Sequence, residues 1–283
     1  MKRFGPALAW LMVAMLAILA VLGARAAGRD VSVLARTTPK RTALMQARIA
    51  EAARRGRTLA IRQRVVPYDR ISPMLRRAVL VAEDDAFFSH GGLDWNELRA
   101  SARRNWEAGR IVRGGSTITQ QLAKNLWLSN ARSPLRKIEE VLLAYRLERA
   151  LTKRRIFELY LNVIEWGDGV FGAEAAARHY FGVSAAALDA RQSVLLAAVI
   201  INPRRFSALD PPRRIERRAR LIAGRLHRRG YLSDAEYRRA IAAPPEPWFG
   251  AVDSANAAGP EPSVAPSPGP EAPPADSVPG SAR

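Results

Sequence analysis

Three blocks of polar and charged residues hold the side chains that could carry chemistry in this chain of 283 residues. The first, residues 83–92, begins with Glu83, Asp84 and Asp85 and continues with two phenylalanines and His90. A carboxylate beside apolar rings has a raised pKa and can accept a proton as a general base. A helix C-terminus ending in a glycine turn, with its acids in solvent, explains the same residues. The residue types alone leave both interpretations open.

The second block, residues 114–125, places two glycines directly before a helix start at Thr117. The freed backbone N–H groups and the positive end of the helix dipole could bind an anion there. Lys124 and Asn125 follow two turns later, within reach of a phosphate. No Gly-Lys-Ser/Thr follows the glycines, so the block is not a P-loop. A capped helix after a flexible turn is the alternative.

The third block, residues 132–140, places Arg136 and Lys137 four and three residues before Glu140, on one face of a helix. Such pairs commonly form a surface ladder of small energetic value. The same pattern could hold a carboxylate among cations that bind a pyrophosphate. A fourth block, residues 160–182, has the alanines and glycines of closely packed helices and predicts a structural role.

The composition restricts the classes of function. The absence of cysteine excludes a disulfide scaffold, a cysteine nucleophile and a cysteine-built zinc site. Three histidines far apart in sequence argue against a metal enzyme of the histidine-cluster type. The net charge of +19 indicates an anionic partner, namely nucleic acid, acidic lipid headgroups or a phosphorylated substrate.

The N-terminus narrows that choice. Residues 4–24 carry no charge and follow Lys2 and Arg3, so their length suits a membrane-spanning helix. A cleaved signal peptide and a buried soluble helix are the alternatives, but the apolar run is long for a signal. We expect a retained anchor whose basic start stays inside, which places the remaining chain outside the cytoplasm. Nucleic acid is therefore not an expected partner.

Helix start signals dominate the chain beyond residue 70, and alternating strand patterns are nearly absent. We predict N-caps at Thr117, Ser133, Asp189 and Ser233, and a short helix near residues 42–55. The predicted divisions are a membrane anchor (1–27), a basic juxtamembrane stalk (28–64), a mostly α domain (65–243) and a tail (244–283). The tail is rich in Pro, Ala, Ser and Gly and buries too little apolar surface to fold.

In order and spacing, the four blocks resemble the family-51 peptidoglycan glycosyltransferases, which also form the first domain of bifunctional penicillin-binding proteins. The matching motifs are Glu-Asp-x-x-Phe-x-x-His-x-Gly at 83–92, Gly-Gly-Ser-Thr-x-Thr-Gln-Gln-x-x-Lys-Asn at 114–125, Arg-Lys-x-x-Glu at 136–140, and Tyr-Leu-Asn…Gly…Ala-Ala-x-x-Tyr-Phe-Gly at 160–182. The resemblance covers roughly residues 65–230. Residues 161–182 are most similar to the monofunctional biosynthetic transglycosylases, and the chain lacks the Ser-x-x-Lys and Lys-Thr-Gly motifs of a transpeptidase.

The resemblance implies a lysozyme-like, mostly α glycosyltransferase domain on a single N-terminal transmembrane helix, at the outer face of the bacterial inner membrane. It implies polymerisation of lipid II into β-1,4 glycan strands, with inversion and release of undecaprenyl pyrophosphate. Glu83 is then the general base, and Glu140 is a second catalytic carboxylate for positioning or leaving-group assistance. The implied substrate-binding residues are Asp84, Ser116, Gln121, Lys124, Asn125, Arg132, Arg136 and Lys137.

The same resemblance implies no required cofactor, with Mg²⁺ or Mn²⁺ on the pyrophosphate as an optional addition. Its expected partners are lipid II, the growing glycan chain, anionic membrane lipids and other cell-wall synthesis or division proteins. Two other functions remain: a lysozyme-like enzyme that cleaves peptidoglycan, and a non-catalytic cell-wall scaffold. Neither needs a set of cations for a pyrophosphate together with the 114–125 block.

The segment between the first two blocks, residues 93–113, mixes aromatic residues with arginines. Trp95 and Trp106 lie about three helical turns apart, as in a segment at the depth of lipid headgroups. An amphipathic helix with its tryptophans in the core is the alternative. Ala100 stands where the family has an arginine, and Arg99 or Arg103 is the candidate to replace it.

Overall fold

The computed structural model describes residues 5–110, 115–128 and 133–242, so the predicted tail lies outside the described residues. Its secondary structure is mostly helical, which confirms the predicted class. The helices of these ranges are α1 (Gly5–Ala27), α2 (Ala43–Arg54), α3 (Pro73–Glu83), α4 (Trp95–Glu107), α5 (Ile118–Trp127), α6 (Pro134–Ala150), α7 (Lys153–Val163), α8 (Ala173–Phe181), α9 (Ala190–Val199), α10 (Arg213–Arg228) and α11 (Asp234–Ile241).

The predicted helix starts are confirmed. Thr117, Asp189 and Ser233 each form a capping box with the third residue of the following helix. The Ser133 hydroxyl accepts a hydrogen bond from the Arg136 N–H at the start of α6. Each such cap stabilises its helix by about 1 kcal/mol. The two helices of the second and third blocks therefore begin at the residues that the sequence specifies.

Helix α9 is the centre of one half of the core. Its residues from Arg191 to Val199 are all buried, and α3, α10 and α11 pack around it. In the other half, α5 contacts α6 and α7. Phe87 connects the first block to this core, because its ring packs against Phe157 of α7 at 5.7 Å between centroids. The C-terminus of α3 and the start of α5 thus have fixed positions.

A small sheet lies beside the helices. It contains β1 (Arg62–Gln63), β2 (Glu165–Gly167) and β3 (Val170–Phe171), in the order β1-β3-β2. The β1–β3 pair is parallel and the β2–β3 pair is antiparallel. The sequence did not predict it, since strands of two or three residues are too short to show alternation. Strand β1 lies before residue 65 but pairs with β3 inside the predicted domain. The domain boundary at residue 65 stays a prediction.

Helix α2 confirms the predicted helix near residues 42–55, and it is attached to the domain. Leu44 and Met45 are buried against Phe171 of β3. The Arg48 guanidinium donates to Glu165 at 2.7 Å, and the Glu165 carboxylate is almost fully buried. A buried carboxylate that keeps a guanidinium partner holds the two elements together, since removing either partner strands a charge.

Helix α1 is long and apolar enough to cross a membrane, with a mean hydropathy of 2.0 over Trp10–Ala27. Trp10 and Leu11 are exposed, as expected of side chains that face lipid. At the other end, Leu22 and Ala26 are buried, α1 packs against α6, and Arg25 Nε lies 3.3 Å from Glu139 Oε1. Retention of this helix and its orientation in the membrane stay predictions.

Candidate active site

Asp84 joins the first two blocks. Directly after α3, its carboxylate accepts a hydrogen bond from the Ile118 N–H at the first turn of α5, at 2.9 Å. His90 Nε2 lies 3.0 Å from the other oxygen of the same carboxylate. Of the two interpretations of this helix start, a capped helix and an anion site, the structure shows the cap, and the Asp84 carboxylate of the same chain contacts its first turn. Asp84 therefore positions the two blocks, and its contact with substrate stays a prediction.

Gly92 forms the second connection between these blocks. Its carbonyl accepts a hydrogen bond from the Thr117 hydroxyl at 2.6 Å. Its φ of +91° lies in the region that favours glycine, and an added Cβ would lie 3.0 Å from the Glu148 side chain. The glycine turn of the first block thus positions the cap of α5.

Glu83, the predicted base, is the last residue of α3, and both of its oxygens have partners. Gln121 Nε2 donates to Oε2 at 3.0 Å, and Arg218 Nη2 donates to Oε1 at 2.9 Å. The Glu83 side chain is 13% exposed. Burial raises the pKa of Glu83 above the ordinary glutamate value, while the hydrogen bond from Gln121 and the charge of Arg218 oppose that rise. The site therefore holds a carboxylate of increased basicity in a fixed orientation.

Tyr160 determines which way Gln121 points. Its hydroxyl donates to Gln121 Oε1 at 3.0 Å, so the amide NH₂ faces Glu83. Burial, followed by the charges of Glu83 and Asp84, raises the pKa of Tyr160 well above its usual value, so the phenol stays a donor. The sequence predicted only a structural role for the fourth block and missed this contact. A tyrosine that only fills the core and one that also orients Gln121 have the same sequence pattern.

Lys124 is a partly buried ammonium beside these carboxylates. Among the described residues, the side-chain ammonium has neither a hydrogen bond nor an ion pair. Burial lowers the pKa of Lys124, the charges of Glu140 and Glu83 raise it, and those of Arg136 and Lys137 lower it. An ammonium that has no carboxylate in direct contact is suited to binding an anion from outside the chain.

Glu140 lies between two cations of its own helix. Arg136 Nη1 donates to one oxygen at 2.7 Å, and Lys137 Nζ donates to the other. The Glu140 side chain is only 4% exposed, so its ion pairs with Arg136 and Lys137 differ from an exposed salt-bridge ladder on a helix surface. Lys137 Nζ also donates to Ser116 Oγ at 3.0 Å, which connects the second and third blocks. Glu140 thus positions the cations, while its own contact with substrate stays a prediction.

The remaining predicted residues are Asn125, Arg132 and the two candidate arginines of α4. Asn125 is buried on α5, one residue beyond Lys124. Arg132 lies outside the described residues. Arg99 and Arg103, the candidates to replace the family arginine, are both exposed on α4, and Arg103 lies 3.8 Å from Glu107.

An open apolar groove runs along α6 from Lys137. Pro134, Ile138, Val141 and Leu142 line it together with the stem of Lys137, and its volume is about 370 Å³. These positions form one stripe of the helix, at spacings of three and four residues. The ammonium of Lys137 therefore lies where an apolar groove meets the cluster of cations.

One group of potential metal ligands occurs in the described part of the chain. Asp84, His90 and Asp94 offer atoms within 4.8 Å of one another. Both oxygens of Asp84 have partners, the Ile118 N–H and His90 Nε2, and Asp94 accepts the Glu97 N–H at 2.8 Å as the N-cap of α4, while the buried Nδ1 of His90 has no hydrogen-bond partner among the described residues. We therefore assign this group to positioning the 83–92 block and place no metal in it.

Helix α4 shows whether the two tryptophans of residues 93–113 lie in the core or at the surface. Trp95 and Trp106 are 60% and 89% exposed, and only Ser101 of this helix is buried. The interpretation with both tryptophans in the core is therefore wrong. Leu98 of the same helix is exposed as well, and so is Phe88 of the first block.

Comparison with known proteins identifies the family of this chain. The sequence model described as Transglycosylase matches residues 51–227. A protein of Methylobacillus flagellatus named "Biosynthetic peptidoglycan transglycosylase" is 50% identical over 188 residues, which cover 66% of this chain and 82% of that protein. A protein of the same name from Laribacter hongkongensis is 49% identical over 189 residues, which cover 67% and 83%.

The fold and the site thus define a glycosyltransferase with the lysozyme-like fold, as the sequence predicted. This chain belongs to the transglycosylase family. The proteins to which it is similar are named for peptidoglycan synthesis, and the similarity covers most of their length. The prediction that the chain is an enzyme is confirmed.

Proposed function

We propose that this protein polymerises lipid II into β-1,4-linked glycan strands and has no transpeptidase activity. The observation that carries the proposal is the arrangement that places a buried, doubly hydrogen-bonded carboxylate, Glu83, within the electrostatic influence of the Lys124 ammonium, which has no ion-pair partner among the described residues. A base and a site for a departing anion are the two requirements for glycosyl transfer from a sugar pyrophosphate. The names of the relatives indicate the same substrate class.

In the proposed reaction, Glu83 takes the proton from the 4-hydroxyl of the acceptor N-acetylglucosamine. The oxygen attacks the anomeric carbon of the N-acetylmuramic acid at the reducing end of the growing chain. The bond from that carbon to the pyrophosphate oxygen breaks, and undecaprenyl pyrophosphate leaves with the bonding electrons. Attack on the face opposite the α-linked leaving group forms a β bond, so the reaction inverts the configuration.

The cations stabilise the leaving group. A pyrophosphate departs readily once its charge is neutralised, and preorganised donors in a water-poor cleft do this most effectively. We assign that role to Lys124 and Lys137, with Arg132 as a third contact. Ser116 and Glu140 hold Lys137, and Glu140 also holds Arg136. A Mg²⁺ or Mn²⁺ ion bound to the pyrophosphate would add to the same effect.

A lipid-linked substrate also explains two apolar features. The groove on α6 begins at Lys137, so a molecule held there by its pyrophosphate can lay the first part of its hydrocarbon chain along Ile138 and Val141. We propose that helix α1, which is long and apolar enough to cross a membrane, anchors the site at the outer face of the bacterial inner membrane. Anionic headgroups there suit the net charge of +19.

Incubation with two substrates tests this function against its alternatives. With purified lipid II, the protein should form polymer and release undecaprenyl pyrophosphate. With intact sacculi, it should release no soluble fragments. Soluble fragments from sacculi without any polymer would favour the peptidoglycan-cleaving enzyme, and inactivity on both substrates would favour the scaffold.

We also expect α4 to lie in the outer leaflet. Because the chain has no cysteine, Trp106→Cys gives a single site for an environment-sensitive fluorophore. In liposomes that contain anionic lipid, the label should emit at shorter wavelength and be quenched by lipids with a spin label near the headgroup. Leu221→Cys, at an exposed position of α10, is the matched control. Equal emission and quenching at the two positions would show that α4 stays in water.

A further inference from the structure

Three arginines of α10 and its C-cap converge on the end of α3. Arg225 Nη1 donates to the Val81 carbonyl at 3.3 Å, and Arg218 Nη2 donates to the Ala82 carbonyl at 3.2 Å. Arg229 forms an ion pair with Asp85. Cations beside the last carbonyls of a helix interact favourably with its dipole and satisfy acceptors without intrahelical partners. These contacts fix the end of α3 against α10.

Arg218 differs from its two neighbours because it also reaches a side chain of the proposed reaction. The same Nη2 that donates to the Ala82 carbonyl lies 2.9 Å from Glu83 Oε1. Gln121 holds the other oxygen from α5, on a different element. Two donors from two helices thus define the plane of the carboxylate. Arg225 makes its contact two residues earlier, to a carbonyl only.

We propose that Arg218 is a positioning residue for this reaction: it fixes the orientation of the Glu83 carboxylate and holds it in the ionised form that can accept a proton. The inference rests on the proposed function, since it needs Glu83 to be the base. It extends that function to a residue on α10, which lies outside the four sequence blocks.

The electrostatic surroundings of Glu83 support this role. Burial raises the pKa of Glu83, and the groups that oppose it are Gln121 and Arg218 by direct contact and Lys124 by its charge. Tyr160 stays neutral behind Gln121, and the Asp84 carboxylate contacts the Ile118 N–H of α5 and His90 Nε2. Arg218 is thus the cation in direct contact with the base among the described residues.

Replacing Arg218 should therefore change the pH dependence of the reaction. Without the guanidinium, the protonated form of Glu83 becomes more favourable and its pKa rises further. An opposite charge in contact shifts a carboxyl pKa by about 1–3 units. In Arg218→Gln we expect the acidic limb of kcat/KM to move up by about that amount. On this limb the rate falls about tenfold for each unit of the shift, and at high pH it levels off below that of the parent, because the orientation of the carboxylate is lost as well.

The experiment compares two glutamine variants of the full chain in liposomes with lipid II, by their pH profiles and thermal midpoints. Arg225→Gln is the matched control, because it removes a cation from the same helix end without touching the carboxylate. It should lower the thermal midpoint and leave the limb where it is. If Arg218→Gln also leaves the limb in place, or if both variants move it equally, Arg218 only stabilises the fold and the inference is wrong.

Arg218→Lys keeps the inference testable if the glutamine variant does not fold. Lysine keeps the charge but cannot reproduce the planar guanidinium contact. We expect the limb to stay within about half a unit of the parent while kcat falls, since orientation is lost and charge is kept. An unchanged kcat would contradict the positioning role. A failure of the proposed function has a different result, namely a Glu83→Gln variant that polymerises at the parent rate.

Discussion

Glu83→Gln is expected to lower the rate of lipid II polymerisation by about 10²–10⁴-fold, because the amide keeps the shape of the side chain but cannot accept a proton. The burial that raises the pKa of Glu83 also makes the carboxylate a stronger base than an exposed glutamate. The acidic limb of kcat/KM in the parent enzyme should accordingly lie above the usual range of a carboxyl group. Below that limb the base is protonated and the reaction stops.

The matched control for this variant is Glu107→Gln, which removes a carboxylate from the exposed surface of α4. Polymer formation by this control should equal that of the parent. Thermal unfolding of Glu83→Gln will show that the loss of rate is not a loss of fold. A folded Glu83→Gln protein that polymerises at nearly the parent rate would exclude Glu83 as the base.

Lys124→Ala should have the second largest effect, a loss of about 10²–10³-fold in kcat, as is typical when a donor that stabilises developing negative charge is removed. The structure supports this expectation because Lys124 has no described carboxylate partner, so removing it strands no charge and should leave the fold intact. Lys137→Ala should have a smaller effect, since Lys137 also contacts Glu140 and Ser116.

The control for charge alone is Lys40→Ala, at an exposed position before α2. It should bind anionic membranes and turn over lipid II much as the parent does. Parent kinetics in Lys124→Ala, Lys137→Ala and the double variant would leave only structural roles for both lysines. In that case the 114–125 block would be a capped helix and the 132–140 block a salt-bridge ladder.

The sequence predicted the elements that local chemistry specifies. Thr117 and Ser133 define helix starts through contacts within four residues of themselves, so the start of α5 and that of α6 were visible without a structure. Glu83 and Lys124 were found because each belongs to a motif with fixed spacing. What the sequence could not show is which long-range partner each group has.

Asp84 and Arg218 illustrate that limit. Asp84 has the residue type of a substrate ligand, but its partner is a backbone N–H 34 positions later in the chain. Arg218 lies 135 positions from Glu83, in a helix whose polar side carries several arginines opposite a buried apolar stripe. The sequence pattern does not show which of these arginines contacts Glu83. Only the packing of α10 against α3 selects it.

The contact between α1 and α6 would link the proposed membrane anchor to the stability of the catalytic site. Ala26 belongs to the main core, and Arg25 pairs with Glu139, one residue before Glu140. The free energy that holds α1 in lipid is therefore linked to the order of α6, because a helix pulled from its membrane would withdraw support from the residues that hold Lys137. A protein cut after residue 27 would lose part of its interior as well as its tether. Lipid thickness and detergent choice thus become variables of folding for this enzyme.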